Sequence, residues 1–273
     1  MFEQRKQTTR LQSAAGFFEL TYHNTVRTVR KSHANAWVAI LTNIMQTVIF
    51  VVAFYIMYVV LGIRSAAIRG DFLLYIMTGI FLYMVHTRTV TAVVRSEGPA
   101  SAMMKHAPMT TAIAIASAAL GALYIQLLSM GVVLYVYHAV FGPITIHDPA
   151  GALGMVILSW ASGVAVGIVF LAIKPWAPTF VQMATTVYNR TNMIASGKMF
   201  VANQLPGYML AFFDWNPLFH SIDQARGFTF VNYFPHNSSI AYPVVVTLAL
   251  LMIGLMGEFY TRRSASLSWS ARR

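Results

Sequence analysis

The chain has 273 residues and not one cysteine, which excludes disulfides, thiolate nucleophiles, iron–sulfur clusters and Cys-ligated zinc. Charge is also scarce. Only 10% of residues are Asp, Glu, Lys or Arg, against 57% hydrophobic, whereas a soluble domain carries about a quarter charged residues. Mean hydropathy is +0.60, so bilayer rather than water is the natural solvent. Acidic groups are the scarcest, with eight Asp and Glu against 19 Lys and Arg. Apart from Glu258, towards the end of the last apolar run, none falls within a span, which counts against a proton-coupled carrier working through buried carboxylates. The phosphate-cradling loop G-x-x-x-x-G-K-[ST] is missing too. The one Gly-Lys pair, Gly197-Lys198, is followed by Met199, and Asn192 stands where the first glycine belongs. No acid, base and nucleophile assemble from the spans, so no catalytic residue is expected in this chain. No internal repeat is visible, which removes support for the inverted-repeat design of many secondary carriers. The polar start, Met-Phe-Glu-Gln-Arg-Lys, lacks the short apolar core and small-residue cleavage site of a removable signal peptide.

Long apolar runs are what the sequence does have. A crossing needs roughly 20 mostly apolar residues for about 30 Å of hydrocarbon. Six runs qualify: Ala36–Ile63, Phe72–Val94, Thr110–Phe141, Gly151–Ile173, Phe180–Leu205 and Ile240–Tyr260. They are too long and too evenly apolar for barrel strands, so the expected fold is an all-α integral membrane protein. Six crossings place both termini on one side. Arg5, Lys6, Arg10, Arg27, Arg30, Lys31, Arg88, Arg95, Lys105, Lys174, Arg262, Arg263, Arg272 and Arg273 then share that side, against Arg64, Arg69 and Arg226 on the other. The bias puts the termini in the cytoplasm. The net charge of +11 therefore reads as orientation and headgroup contact, and no nucleic-acid partner is expected.

The segments between the runs carry more structure. Along Ala14–Lys31, Phe18, Tyr22, Val26 and Val29 share one helical face and Glu19, His23, Arg27 and Arg30 the next, the pattern of an amphipathic helix lying in the membrane interface. Three parts follow: a cytoplasmic N-terminus with this helix over residues 1–35, a six-span domain over 36–261, and a basic tail over 262–273. On the inner side, Arg95–Pro108 reads as a plain connector or as a short helix between two breakers. The outer segment Pro206–Ser239 is crowded with aromatics, including Tyr208, Phe212, Phe213, Trp215, Phe219 and Phe228. Asn216-Pro217 is a good helix start. Short helices dipping back into the outer leaflet, forming an external gate, are expected there. His220 and Asp223 share a helical face, but two ligands without a third point to a hydrogen-bonded pair rather than a metal. His86 and Arg88 read as headgroup contacts.

Polar residues inside spans are costly unless partnered. In the fifth run Thr185, Asn189, Asn192 and Ser196 form one helical stripe, which Asn203 continues. In the first, Asn43, Gln46, Phe50 and Phe54 form a stripe that turns from polar to aromatic. Two readings stand side by side: hydrogen bonding between helices, or a translocation path for a hydroxyl-rich substrate that stacks on aromatic faces.

The ordered set Ala195-Ser196-Gly197, Leu205-Pro206, Asn216-Pro217-Leu218, His220, Asp223 and Arg226 resembles the end of span five and the outer region of ABC-2 type membrane subunits, specifically the polysaccharide-export branch of capsule, O-antigen and teichoic acid exporters. The resemblance implies an interface helix, six spans with re-entrant outer helices between the fifth and sixth, and an outer gate including Pro206, Trp215, Asn216, Pro217, His220, Asp223 and Arg226. It implies a homodimer that binds two ATPase subunits, which hold the ATP and magnesium, so that this chain needs no cofactor of its own. Arg95–Pro108 would couple to those ATPases through Glu97, Met103, Met104 and Lys105. The implied setting is the bacterial inner membrane, with a lipid-linked polysaccharide as substrate and periplasmic and outer-membrane export proteins as further partners. A drug or lipid exporter of the same superfamily is the first rival, and an ion-coupled secondary carrier the second.

Overall fold

The computed structural model describes residues 10–31, 36–62, 68, 70–96 and 110–268, and every regular element among them is helical. Helix α1 covers Arg10–Lys31, α2 Ala36–Val60, α3 Phe72–Arg95, α4 Thr111–Val140 and α5 Pro149–Ile173. Then come α6 (Pro178–Ala195), a 3₁₀ turn at Ala202–Gln204, α7 (Gly207–Leu210), α8 (Pro217–Thr229) and α9 (Ala241–Ser268). Five helices are long and apolar enough to cross a bilayer: α3, α4 and α5 throughout, with Ile40–Val60 of α2 and Ala241–Ser264 of α9. The chain is a multi-pass membrane protein.

The expected runs agree with α2, α3, α4, α5 and the start of α9 to within a few residues. The fifth run does not. Helix α6 stops at Ala195 instead of continuing to Leu205, because the chain turns at Ser196-Gly197 and Gly197 adopts φ +72, a conformation that suits glycine. Helix α6 has 18 residues, and its Thr, Gln, Asn and Arg content keeps it outside the five. At the far end α9 runs on to Ser268, so the segment expected as a basic tail from residue 262 begins as helix.

Side chains set the helix starts. Asp71 accepts the Leu73 N–H at 2.9 Å at the head of α3, Asp148 accepts the Gly151 N–H at 3.0 Å at the head of α5, and Thr110 caps α4 through the Ile113 N–H. Each satisfies a donor that a helix start leaves without a partner. Helix α3 is the axis of the bundle: 89% of its apolar window is buried, against 17% for α2. It packs against α2, α4, α5, α6 and α8, while α9 covers the other side of α5. Small residues bring these helices close. A Cβ on Gly163 of α5 would lie 2.7 Å from the His86 carbonyl oxygen of α3, and one on Gly254 of α9 would lie 2.9 Å from Ile168.

Helix α1 lies along α4, where the Ser117 hydroxyl donates to the Thr21 carbonyl at 3.1 Å. Its Phe18 and Tyr22 are exposed. Glu97, Met103, Met104 and Lys105 lie outside the described residues.

The Gly163→Ala substitution should lower the thermal midpoint of the purified chain in detergent, since the added methyl must push α3 from α5 at a cost of about 1–3 kcal/mol. Gly154→Ala, with nothing within 4 Å of its added carbon, should leave the midpoint unchanged or raised. Equal midpoints for the two variants would show that the contact between α3 and α5 is not tight.

Candidate functional site

The break after α6 gathers most of the polar side chains that the sequence singles out. A helix end leaves carbonyl groups without intrahelical donors, and in a low-dielectric interior each must find another. The last carbonyls of α6 are met close by, Asn192 by the Ser196 N–H and Ala195 by the Asn216 amide, and Arg226 of α8 supplies donors to the turn that follows. Its side chain is 1% exposed, and its guanidinium donates to the carbonyls of Gly197 at 3.1 Å, Phe200 at 2.6 Å and Lys198 at 2.7 Å. The same guanidinium lies 4.3 Å from the Tyr75 ring centre on α3, a stacking for which a planar cation suits. Tyr58 of α2 donates its hydroxyl to the Met199 carbonyl. On α3, Gly79 leaves room for the turn: a Cβ there would sit 2.8 Å from the Lys198 carbonyl oxygen.

Held this way, the turn points Lys198 inward. The ammonium lies 3.6 Å from the Tyr83 ring centre, 4.7 Å from Phe54 and 5.5 Å from Phe50. Among the described residues Nζ has no hydrogen-bond partner. A desolvated cation gains about 2 kcal/mol or more from an aromatic face, against a burial penalty of several kcal/mol, so the cage offsets only part of the cost.

The α6 stripe turns towards protein. Thr185 donates to the Val181 carbonyl at 2.7 Å, and Asn189 donates to Thr91 of α3 at 3.1 Å. Asn192 donates to the Tyr188 carbonyl and accepts from Asn216 at 2.9 Å. Ser196 is fully buried at the helix end. Asn203 does not belong to this stripe, because α6 ends before it. Its amide instead bonds the Phe234 carbonyl at 2.7 Å and the His236 N–H at 3.1 Å. On α2, Asn43 accepts from Gln126 of α4 at 3.0 Å, Gln46 accepts from Arg88, and Phe50 and Phe54 stack with ring centres 6.2 Å apart. Asn189, Asn43 and Gln46 thus bond from helix to helix, whereas Thr185 bonds within its own helix. The open polar surface lies one step round α6: Thr186, Gln182 and Arg190 are exposed and line a cavity of about 550 Å³ with Thr91, Arg95 and Lys174.

Helix α8 begins beside α6, since Asn216 caps it by accepting the Leu218 N–H while donating to the Ala195 carbonyl. Pro217 occupies its first turn. The far end meets the head of α5, where the Asp148 N–H donates to the Phe228 carbonyl at 2.8 Å. His220 and Asp223 are not bonded to each other; both bind the segment that follows α8. His220 Nε2 lies 2.7 Å from the Asp214 carbonyl, and its Nδ1 accepts the Ser239 N–H at 3.1 Å. A carbonyl only accepts, so the proton sits on Nε2. Asp223 accepts from Tyr233 and from Ser238 at 2.7 Å. Burial and the Asp223 carboxylate together push the Tyr233 hydroxyl well above the ordinary phenol range, which keeps it a donor. Pro206 precedes α7 and is exposed, as are the rings of Trp215, Tyr208, Phe212 and Phe234.

One sequence expectation needs correction. His86 is no headgroup contact: it is fully buried, with Nδ1 at 2.9 Å from the Ser162 hydroxyl and 3.2 Å from the Ser159 carbonyl, and Nε2 at 2.8 Å from the Tyr188 hydroxyl. It ties α3 to α5 and α6. Arg88 is turned towards Gln46 on α2. Sequence reasoning also passed over Lys198 as a site residue, with its cage and the Tyr58, Tyr75 and Tyr233 contacts. One signal was available, for Lys198 is the single charged residue between Arg190 and Asp214. Among the described residues no group of three or more metal-ligating side chains gathers. Comparison with known family models and with curated proteins finds no match to this chain.

Arg226→Met should lower the folded yield and thermal midpoint, since the stranded carbonyls cost on the order of 3 kcal/mol. Arg226→Lys should recover only part, because an ammonium lacks the planar fork. A Lys variant matching the unmodified chain would show that charge, not geometry, holds the turn.

Proposed function

We propose that this chain is the membrane-spanning permease subunit of an ATP-driven ABC-2 type exporter, moving a lipid-linked polysaccharide of capsule type across the bacterial inner membrane. The observation that carries the reading is the interrupted stretch from α6 to α8, sealed by Arg226. A backbone break among membrane helices has to be buried in protein or to line a wet cavity; this one is buried at residues 196–198, and the helix that precedes it lines a cavity of about 550 Å³ whose walls include Arg95, Lys174 and Arg190. In this reading α6 completes six crossings, α7 and α8 are re-entrant helices of the outer gate, and both termini are cytoplasmic. The exposed Tyr208, Phe212, Trp215 and Phe234 offer faces on which sugar rings stack. A second copy of the chain and two ATPase subunits complete the transporter, and ATP and magnesium act on those subunits. Periplasmic and outer-membrane export proteins would receive the polymer.

A drug or lipid exporter of the same superfamily is the second reading. The feature that favours it is a cavity of about 590 Å³ between α2, α3 and α4, lined almost wholly by aliphatic and aromatic residues such as Val48, Val52, Leu73 and Val136.

Deleting the gene in its host should remove polysaccharide from the cell surface and leave it accumulating inside. An unchanged coat with nothing accumulated would move the drug or lipid reading into first place.

A finer test uses the open face of α6. Trp at Gln182 or Thr186 should block export by at least about tenfold while the protein still assembles, as these exposed side chains carry no packing role. Asn192→Leu should instead reduce assembly, because it strands one of the two N–H groups of the Asn216 amide. Normal export by both Trp variants would remove this face from the path.

A further inference from the structure

Lys198 carries the least compensated charge among the described residues. Three ring faces surround its ammonium, yet rings present no lone pairs for three N–H donors, and an ammonium surrenders strong hydration on burial. Two of the rings, Phe50 and Phe54, belong to α2, the least buried of the apolar helices. The third, Tyr83, is also part of the lining of the cavity between α3, α6 and the Lys174 turn. Among the described residues that lining carries Arg95, Lys174 and Arg190 and no carboxylate. Lys174 already donates to the Val94 carbonyl at 2.7 Å, so one of the three cations is held at the cavity wall. A space walled by several cations and hydroxyls attracts an oxyanion.

We propose that Lys198 is a gated ligand for a phosphate-bearing group. The ammonium waits in the aromatic cage; when such a group occupies the cavity, the side chain swings past Tyr83 and donates to it. Only the side chain needs to move. Arg226 and Tyr58 hold the carbonyls on either side of Lys198, and a four-carbon stem is flexible enough to change direction from a fixed backbone. Two sources share this chemistry, a lipid headgroup and free phosphate. The inference stands apart from the export reading, because it concerns binding by this chain alone.

The test uses the full chain in discs of pure phosphatidylcholine, titrated with inorganic phosphate, and in discs containing phosphatidylglycerol. The chain has five lysines, so isotopic labelling of lysine Cε gives a readable magnetic resonance spectrum. The ring faces should displace the Lys198 signal upfield of the others. Phosphate at saturation, or phosphatidylglycerol, should return it to the position of solvated lysines. Movement with phosphate alone assigns an aqueous source; movement only in phosphatidylglycerol discs assigns the bilayer. The Lys198→Met variant should bind phosphate about tenfold more weakly or worse, having lost a charge-assisted hydrogen bond. It should also melt at a higher temperature, since a thioether fills the cage without a buried charge. A Lys198 signal that stays upfield under both conditions overturns the proposal, as does a Met variant that binds phosphate as tightly as the unmodified chain. The spectrum needs no variant, so a Met chain that fails to fold leaves the test intact. Loss of the exporter reading would leave its outcome untouched.

Discussion

A chain that breaks its helix among other helices, away from water, has to find donors for the carbonyls of the turn, and in this protein one guanidinium supplies them. Arg226 reaches from α8 across to the end of α6 and bonds the carbonyls of Gly197, Lys198 and Phe200. Those charge-assisted bonds and the Tyr75 face offset part of its cost of burial, and among the described residues Nε has no partner. The other features of the site depend on that arrangement. With the turn fixed, Lys198 is directed into its cage. With α8 held against α6, Asn216 meets Asn192, and His220 and Asp223 reach the segment leading into α9.

Around this turn, polar groups are joined helix to helix rather than to solvent. His86 joins α3 to α5 and α6, Gln126 joins α4 to α2, and the buried Glu258 of α9 accepts from Thr111 at the head of α4. Such bonds between membrane helices contribute modestly, each about 0.6–2 kcal/mol. They act together with close glycine contacts such as Gly163 on the His86 carbonyl. The result is a core of α3, α5 and α8, from which α2 and α9 leave most of their surface outward. That asymmetry leaves wide apolar faces for lipid or a second subunit, and it puts two of the three rings of the Lys198 cage, Phe50 and Phe54, on α2.

Much of the architecture was legible in advance. Apolar length alone located α2, α3, α4, α5 and the start of α9, and Asn216-Pro217 marked the head of α8. What periodicity could not supply was the end of α6. Thr185, Asn189, Asn192 and Ser196 fall on one helical stripe, and a stripe extrapolated forwards takes in Asn203. The chain instead turns at Gly197, and Asn203 serves a loop 31 residues further on. His220 and Asp223 at helical spacing suggested a pair, but which group each bonds depends on where the strand of residues after α8 returns.

Composition and hydropathy by themselves determined that this is a helical membrane protein, because apolar runs of this length have no other stable form in lipid. They also determined which residues are too polar to lie in a span without a partner. Only the tertiary structure decided who the partners are. Hydrogen bonds between helices and the stacking of a cation on a ring join residues far apart in the chain, as Lys198 meets Phe50, Phe54 and Tyr83. No local pattern encodes those pairings; they arise when packing of the apolar faces brings the helices to one depth and one rotation.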